Sequence, residues 1–204
     1  MGVSKRKATA SNQEKRKVST GEEEFSRPQW KDAIEITDLA GPLILLAASH
    51  NGGGYKILTC SEDGGLQLRT PSEVGMEMDE HGRLCPVDVT QVLVGQILVP
   101  GKVSLKTANR KYLSACPSGK ITATRDAVGP TEEWRPKKVE GGFALQDVFD
   151  RYLSVDNQER IVISETCDEA GFKEIFMIRC QAGKKTKKAA SDESKSEALR
   201  LNER

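Results

Sequence analysis

Val103-Ser104-Leu105 leads through Asn109-Arg110-Lys111 to Tyr112-Leu113-Ser114, and forty residues later Phe143-Ala144-Leu145 leads through Asp150-Arg151 to Tyr152-Leu153-Ser154. The match extends outward at the same offset, with Lys120-Ile121-Thr122-Ala123 set against Arg160-Ile161-Val162-Ile163. After a slip of two residues, Asp126-Ala127-Val128-Gly129 matches Asp168-Glu169-Ala170-Gly171, and Trp134 matches Phe176 at an offset of 42. A weaker copy comes first: residues 43–47, the turn Asn51-Gly52-Gly53-Gly54, Tyr55-Lys56-Ile57-Leu58 and Leu66-Gln67-Leu68 keep the same order. Tyr55 to Tyr112 is 57 residues, an excess that one insertion at residues 71–86 absorbs. That stretch is rich in acids and methionine and reads as a long loop.

Short apolar runs alternate with Gly, Asn, Asp and Pro turns, and amphipathic helical periodicity is missing, so the class is all-β. Three copies of roughly four strands predict a single β-trefoil, a six-stranded barrel closed by three hairpins. Strand alternation then turns the repeated Leu, Ile, Tyr and Trp/Phe positions toward the barrel and its cap. Trp30 is expected to pack where the chain enters the barrel. Gly52-Gly53-Gly54 reads as a hairpin turn, because no Gly-Lys-Ser/Thr and no helix N-terminus follow to hold a phosphate.

The chain has 204 residues with 31 Lys plus Arg against 30 Asp plus Glu. Its length suits one domain with tails. Residues 1–27 and 182–204 each carry a net charge of +3 and few large apolar side chains. Such segments cannot offset their ordering entropy, so both are predicted to be disordered basic tails around a domain at 28–181. Within them Lys5-Arg6-Lys7, Lys15-Arg16-Lys17, Lys184-Lys185 and Lys187-Lys188 form clusters that a nuclear import receptor could read. The last stretch, residues 191–204, ends in Glu197-Ala198-Leu199-Arg200-Leu201, the pattern of a short helix without caps and with little apolar face, and is given no function. No run is long and apolar enough for a membrane span or a secretory signal, so no membrane partner is expected. Met1-Gly2-Val3-Ser4 falls short of a myristoylation motif because Arg6 stands where Ser or Thr is needed.

Catalysis is not expected, nor a cofactor, metal or small-molecule substrate. Cys60, Cys85, Cys116, Cys167 and Cys180 form no C-x-x-C, and with only His50 and His81 beside them they make no zinc pattern. They read as reduced intracellular thiols. Neither histidine has a nucleophile and an orienting carboxylate at a motif spacing. Glu132-Glu133 and Glu62-Asp63 are adjacent acids that a strand would point to opposite faces and a turn would leave solvated.

Lys111-Tyr112-Leu113, Asp126-Ala127-Val128-Gly129-Pro130 and Glu132-Glu133-Trp134 together resemble the family named after the facioscapulohumeral muscular dystrophy region gene one protein, whose trefoil is fascin-like. Trp30 followed by residues 36–41, the basic N-terminal stretch and the basic exit after Cys180 fall where that family has comparable features. The resemblance covers roughly residues 28–188. It implies a protein of the nucleus and nucleolus, associated with spliceosomes, pre-mRNA and pre-rRNA processing, with F-actin bundling as an alternative role.

Charge divides the domain into three lobes. Residues 28–101 carry −6, residues 102–138 carry +6 and residues 139–181 carry −5. The middle lobe's Lys102, Lys106, Arg110, Lys111, Lys120, Arg125, Arg135, Lys137 and Lys138 are expected to form one patch, with Lys102, Ser104 and Lys106 on the outer face of their strand. Such a patch would contact RNA phosphates or an acidic protein in a ribonucleoprotein, independently of sequence and in a salt-sensitive way. Actin bundling needs two filament sites, and one basic lobe supplies one.

Overall fold

The computed structural model describes residues 29–50, 53–99, 101–164 and 169–182. Among these residues fifteen strands run in chain order: β1 (Trp30–Asp32), β2 (Gly41–Ala48), β3 (Tyr55–Cys60), β4 (Leu66–Arg69), β5 (Glu77–Met78), β6 (Leu84–Cys85), β7 (Leu93–Ile97), β8 (Val103–Lys106), β9 (Tyr112–Ala115), β10 (Ile121–Arg125), β11 (Arg135–Val139), β12 (Gly142–Gln146), β13 (Leu153–Val155), β14 (Ile161–Ile163) and β15 (Ile175–Gln181). Helix among the described residues is confined to four short 3₁₀ turns, so the class is all-β. None of these is long and apolar enough to cross a membrane.

Six strands pair in the order β8-β7-β2-β15-β12-β11, all antiparallel. Val103 at the start of β8 meets Trp134, the residue before β11, through reciprocal backbone hydrogen bonds of 2.8 and 2.9 Å. That contact joins the two ends of the path, so the six strands form a ring. Three hairpins, β3-β4, β9-β10 and β13-β14, touch one another across one end of it.

Alternation fills the ring. Leu43, Leu45, Leu93, Val103, Leu105, Phe143, Leu145, Phe176 and Ile178 point in and join Trp134, Leu113 and Leu153 in one buried cluster. A second cluster lies outside β2, where Trp30, Ile44, Leu46 and Ile57 are covered by Val74, Met76 and Cys85. The segment 71–86 is therefore more than a loop: β5 and β6 pair as a hairpin, and its apolar side chains cover the outer face of β2. The repeated tyrosines also differ from expectation. Tyr152 is buried, but Tyr112 is half-buried and Tyr55 is exposed. Adjacent Tyr and Leu on a strand cannot both face in, and Leu113 takes the interior position.

Polar clamps tie each lobe to the one before it. Asn109 Nδ2 donates to Glu62 O (3.1 Å), binding the turn after β8 to the β3-β4 hairpin. Arg151 donates to Cys116 O and Pro117 O, binding the turn after β12 to the β9-β10 hairpin. Glu159, in the β13-β14 turn, completes the cycle by accepting from Ser49 Oγ (2.8 Å) and pairing with Lys56 Nζ (2.6 Å).

Glu159 has φ of +58° at the repeat position that Gly119 fills with φ of +80°. A non-glycine residue there costs about 1 kcal/mol, which the clamp must offset. Hydrogen bonding from Lys56 and Ser49 holds the Glu159 carboxyl at about 2, against its ordinary 4.5. A depressed folded-state pKa contributes stability that is complete above the unfolded value and lost as pH falls toward the folded one. Acid titration of unfolding should therefore show destabilisation between about pH 4.5 and about 2. Glu159→Gln should be less stable at neutral pH and show a shallower loss over that window; an unchanged slope would refute the clamp.

Candidate functional site

Residues directly opposite on antiparallel strands lie on the same face. Pro42 on β2 is opposite Val94 on β7, Val94 opposite Lys106 on β8, Lys106 opposite Tyr112 on β9, and Tyr112, past a register shift that follows Thr122, opposite Arg125 on β10. These five form one row across five strands. Their chain neighbours Leu43, Leu93, Leu105 and Leu113 fill the interior, so the row faces outward. The Lys106 ammonium stands 5.0 Å from the centroid of the Tyr112 ring, a contact worth about 0.5–1 kcal/mol at an accessible site. Arg110, in the turn joining β8 to β9, takes φ of +65° and is exposed, as is Arg125.

The nine basic residues of the middle lobe do not form one patch. Four are neutralised: Lys102 by Glu133 (2.6 Å), Lys111 by Asp126 (2.5 Å), Arg135 by Asp150 (2.8 Å) and Lys138 by Glu35 (3.0 Å). Lys137 donates to the Tyr152 hydroxyl at 2.6 Å. Lys106, Arg110, Lys120 and Arg125 have no carboxylate within pairing distance among the described residues. Strand order brings Lys106, Arg110, Lys111 and Arg125 to one end of the β8-β9-β10 sheet, around Tyr112. Lys120 lies in the turn at the other end of the β9-β10 hairpin, Lys102 precedes β8, and Arg135, Lys137 and Lys138 lie on β11. Ser104 is not on an open face either: it is fully buried, and its hydroxyl has no hydrogen-bond partner among the described residues. The clusters Lys5-Arg6-Lys7, Lys15-Arg16-Lys17, Lys184-Lys185 and Lys187-Lys188 lie outside the described residues.

Beyond Arg125 the chain bends through residues 126–132 around a shallow cavity of about 570 Å³. Glu132 holds this bend. Its side chain is 3% exposed, accepts from Gly129 N (2.8 Å) and takes hydroxyl hydrogen bonds from Ser114 (2.5 Å) and Thr131 (2.7 Å). Burial pushes its carboxyl up, but the two hydroxyls, the Gly129 amide and the charge of Arg125 outweigh it and hold the group below the usual carboxylate range. The expectation that a turn leaves Glu132-Glu133 solvated is thus corrected: Glu132 is buried and Glu133 is bound to Lys102. The repeat carries the signal for this, since Ser154 donates to Glu174 (2.6 Å), and Glu174 accepts from Gly171 N (2.9 Å). Ser114 and Ser154 are 40 residues apart, Glu132 and Glu174 42, and Trp134 and Phe176 each follow their glutamate by two.

With this geometry in view, two comparisons bear on the chain. The model of the FRG1-like domain matches residues 81–203, more than half of the sequence. The chain belongs to the FRG1-like family. A curated relative, Protein frg1 of Schizosaccharomyces pombe (strain 972 / ATCC 24843), is 30% identical over 142 residues, covering 65% of this chain and 51% of the relative. The chain thus spans about half the length of that relative. The family match takes in β7 to β10 and so contains Val94, Lys106, Tyr112 and Arg125.

Removing the carboxylate that organises the bend strands the Ser114 hydroxyl and the Gly129 amide. Glu132→Ala should cost about 2–3 kcal/mol in urea unfolding, the penalty for buried polar groups left without partners. A loss below about 0.5 kcal/mol would contradict a structural role for this residue.

Proposed function

We propose that this chain is a non-catalytic nuclear protein of spliceosome-associated pre-mRNA processing, with a share in pre-rRNA processing in the nucleolus. It docks on RNA or ribonucleoprotein proteins through its basic lobe, and its terminal clusters engage a nuclear import receptor. The fold that presents the lobe is a β-trefoil of the fascin-like type. Support for that fold comes from the closed six-strand ring, the three mutually touching hairpins and the cyclic inter-lobe clamps.

One observation carries the functional reading. In a domain whose flanking lobes are acidic, Lys106, Arg110 and Arg125 lie together with no carboxylate within pairing distance among the described residues, while most of the lobe's other cations are neutralised. Selection for stability alone favours pairing or scattering charges; like charges kept adjacent and open cost stability unless an anion covers them. Family membership agrees with a docking role and points to no reaction. The filament-bundling alternative gains no support, since the described residues present one such cationic end and bundling needs two contacts.

Affinity purification from nuclei with and without RNase, followed by mass spectrometry, tests this. Recovery of splicing proteins, reduced when Lys106, Arg110 and Lys111 are replaced together by Glu, is the expected outcome. Recovery of actin-bundling proteins alone would overturn the proposal.

A further inference from the structure

The outer row is not uniformly cationic, and that limits what fits it. Lys106, Tyr112 and Arg125 occupy three adjacent strands, but the row continues through Val94, which is 46% exposed, to the half-buried Pro42. Four strand spacings make the row roughly 19 Å long, about six residues of extended peptide. Apolar surface therefore runs directly into positive surface, with an aromatic ring between the two cations.

Two kinds of anion could meet the cations. A nucleic-acid strand longer than the row would carry its further phosphates onto acidic lobes of −6 and −5, where they are repelled. It would also set the charged sugar-phosphate backbone, rather than apolar side chains, against Val94 and Pro42. A short protein segment that alternates carboxylates with apolar side chains satisfies both halves of the row, setting its carboxylates against Lys106 and Arg125 and its apolar side chains against Val94 and Pro42 on the acidic first lobe. Arg and Tyr are the side chains that most often dominate protein interfaces. The stacking of Lys106 on Tyr112 also holds the ammonium in place before binding, which lowers the entropy lost on complex formation.

We propose that the row formed by Pro42, Val94, Lys106, Tyr112 and Arg125, with Arg110 at its edge, is a docking site for a short acidic peptide segment bearing aliphatic or aromatic residues between its carboxylates. This rests on the basic-lobe reading above and narrows it to one partner class, a protein.

The test uses the full chain and three fluorescein-labelled probes read by anisotropy: a peptide alternating Glu with Leu and Phe, an all-Glu peptide of the same length, and an oligouridylate. The alternating peptide should bind about tenfold tighter than the all-Glu peptide, because only it covers Val94. Val94→Asp and Arg125→Ser should each weaken it about tenfold, with thermal melts confirming that the variants fold; Lys120→Glu should leave it unchanged. If the oligouridylate binds tighter than the alternating peptide and Val94→Asp does not matter, the peptide assignment falls while the basic-lobe reading stands. If none of the three probes binds, both fall.

Discussion

Two backbone hydrogen bonds between Val103 and Trp134 convert an open sheet into a ring. Without them β8 and β11 would be edges, with unpaired amides and carbonyls available to any other chain. Closure also fixes Trp134, whose buried indole donates to Leu113 O at 3.1 Å and so ties the ring to the β9-β10 hairpin. Once the ring is shut, inside and outside are defined for every strand. Leu43, Leu93, Leu105 and Leu113 take the inside, and Pro42, Val94, Lys106 and Tyr112 have only the outside left. The candidate interaction row follows from the packing of the interior.

The charge of the chain is distributed with the same economy. A formal net charge of +1 conceals acidic and basic lobes side by side. Much of the basic lobe's charge is satisfied within the domain: Glu35 reaches from the first lobe to Lys138, and Asp150 from the third to Arg135. These accessible pairs add little stability, but they cancel the field of the cations they bind. The remaining field is concentrated around Tyr112, where Asp126 pairs with Lys111 and the Glu132 carboxylate acts on Arg125 from a distance. A small open cluster bounded by acids favours a short anionic partner over a long one.

Much of this was legible in the repeat. The 40-residue period placed the turns, the ring strands and the Trp134 and Phe176 positions, because a buried strand face must recur wherever the backbone does. The outer faces were not legible. Period two puts Ser104 on the outer face but does not say that it is covered, and the repeat alone turns Tyr112 inward, where Leu113 already takes the interior position. Residues 71–86 looked like a loop because two-residue strands leave no periodicity to read. The nine cations looked like one patch because several of their partners come from other lobes, which only the closed ring brings near. Glu132 was misread for a different reason: its hydroxyl partner Ser114 is eighteen residues away, and the matching Ser154 and Glu174 were visible at nearly the same spacing.

The central claim is that the unpaired cations around Tyr112, rather than the lobe's total charge, hold this protein in its assembly. Gradient sedimentation of nuclear extract separates the two. One variant neutralises Lys106, Arg110 and Arg125; a control removes the same charge by neutralising the ion-paired Lys102, Arg135 and Lys138. The account predicts that the first variant sediments as free protein while the control stays with large ribonucleoprotein particles. Retention of the first variant in those particles, or release of the control alone, would contradict it.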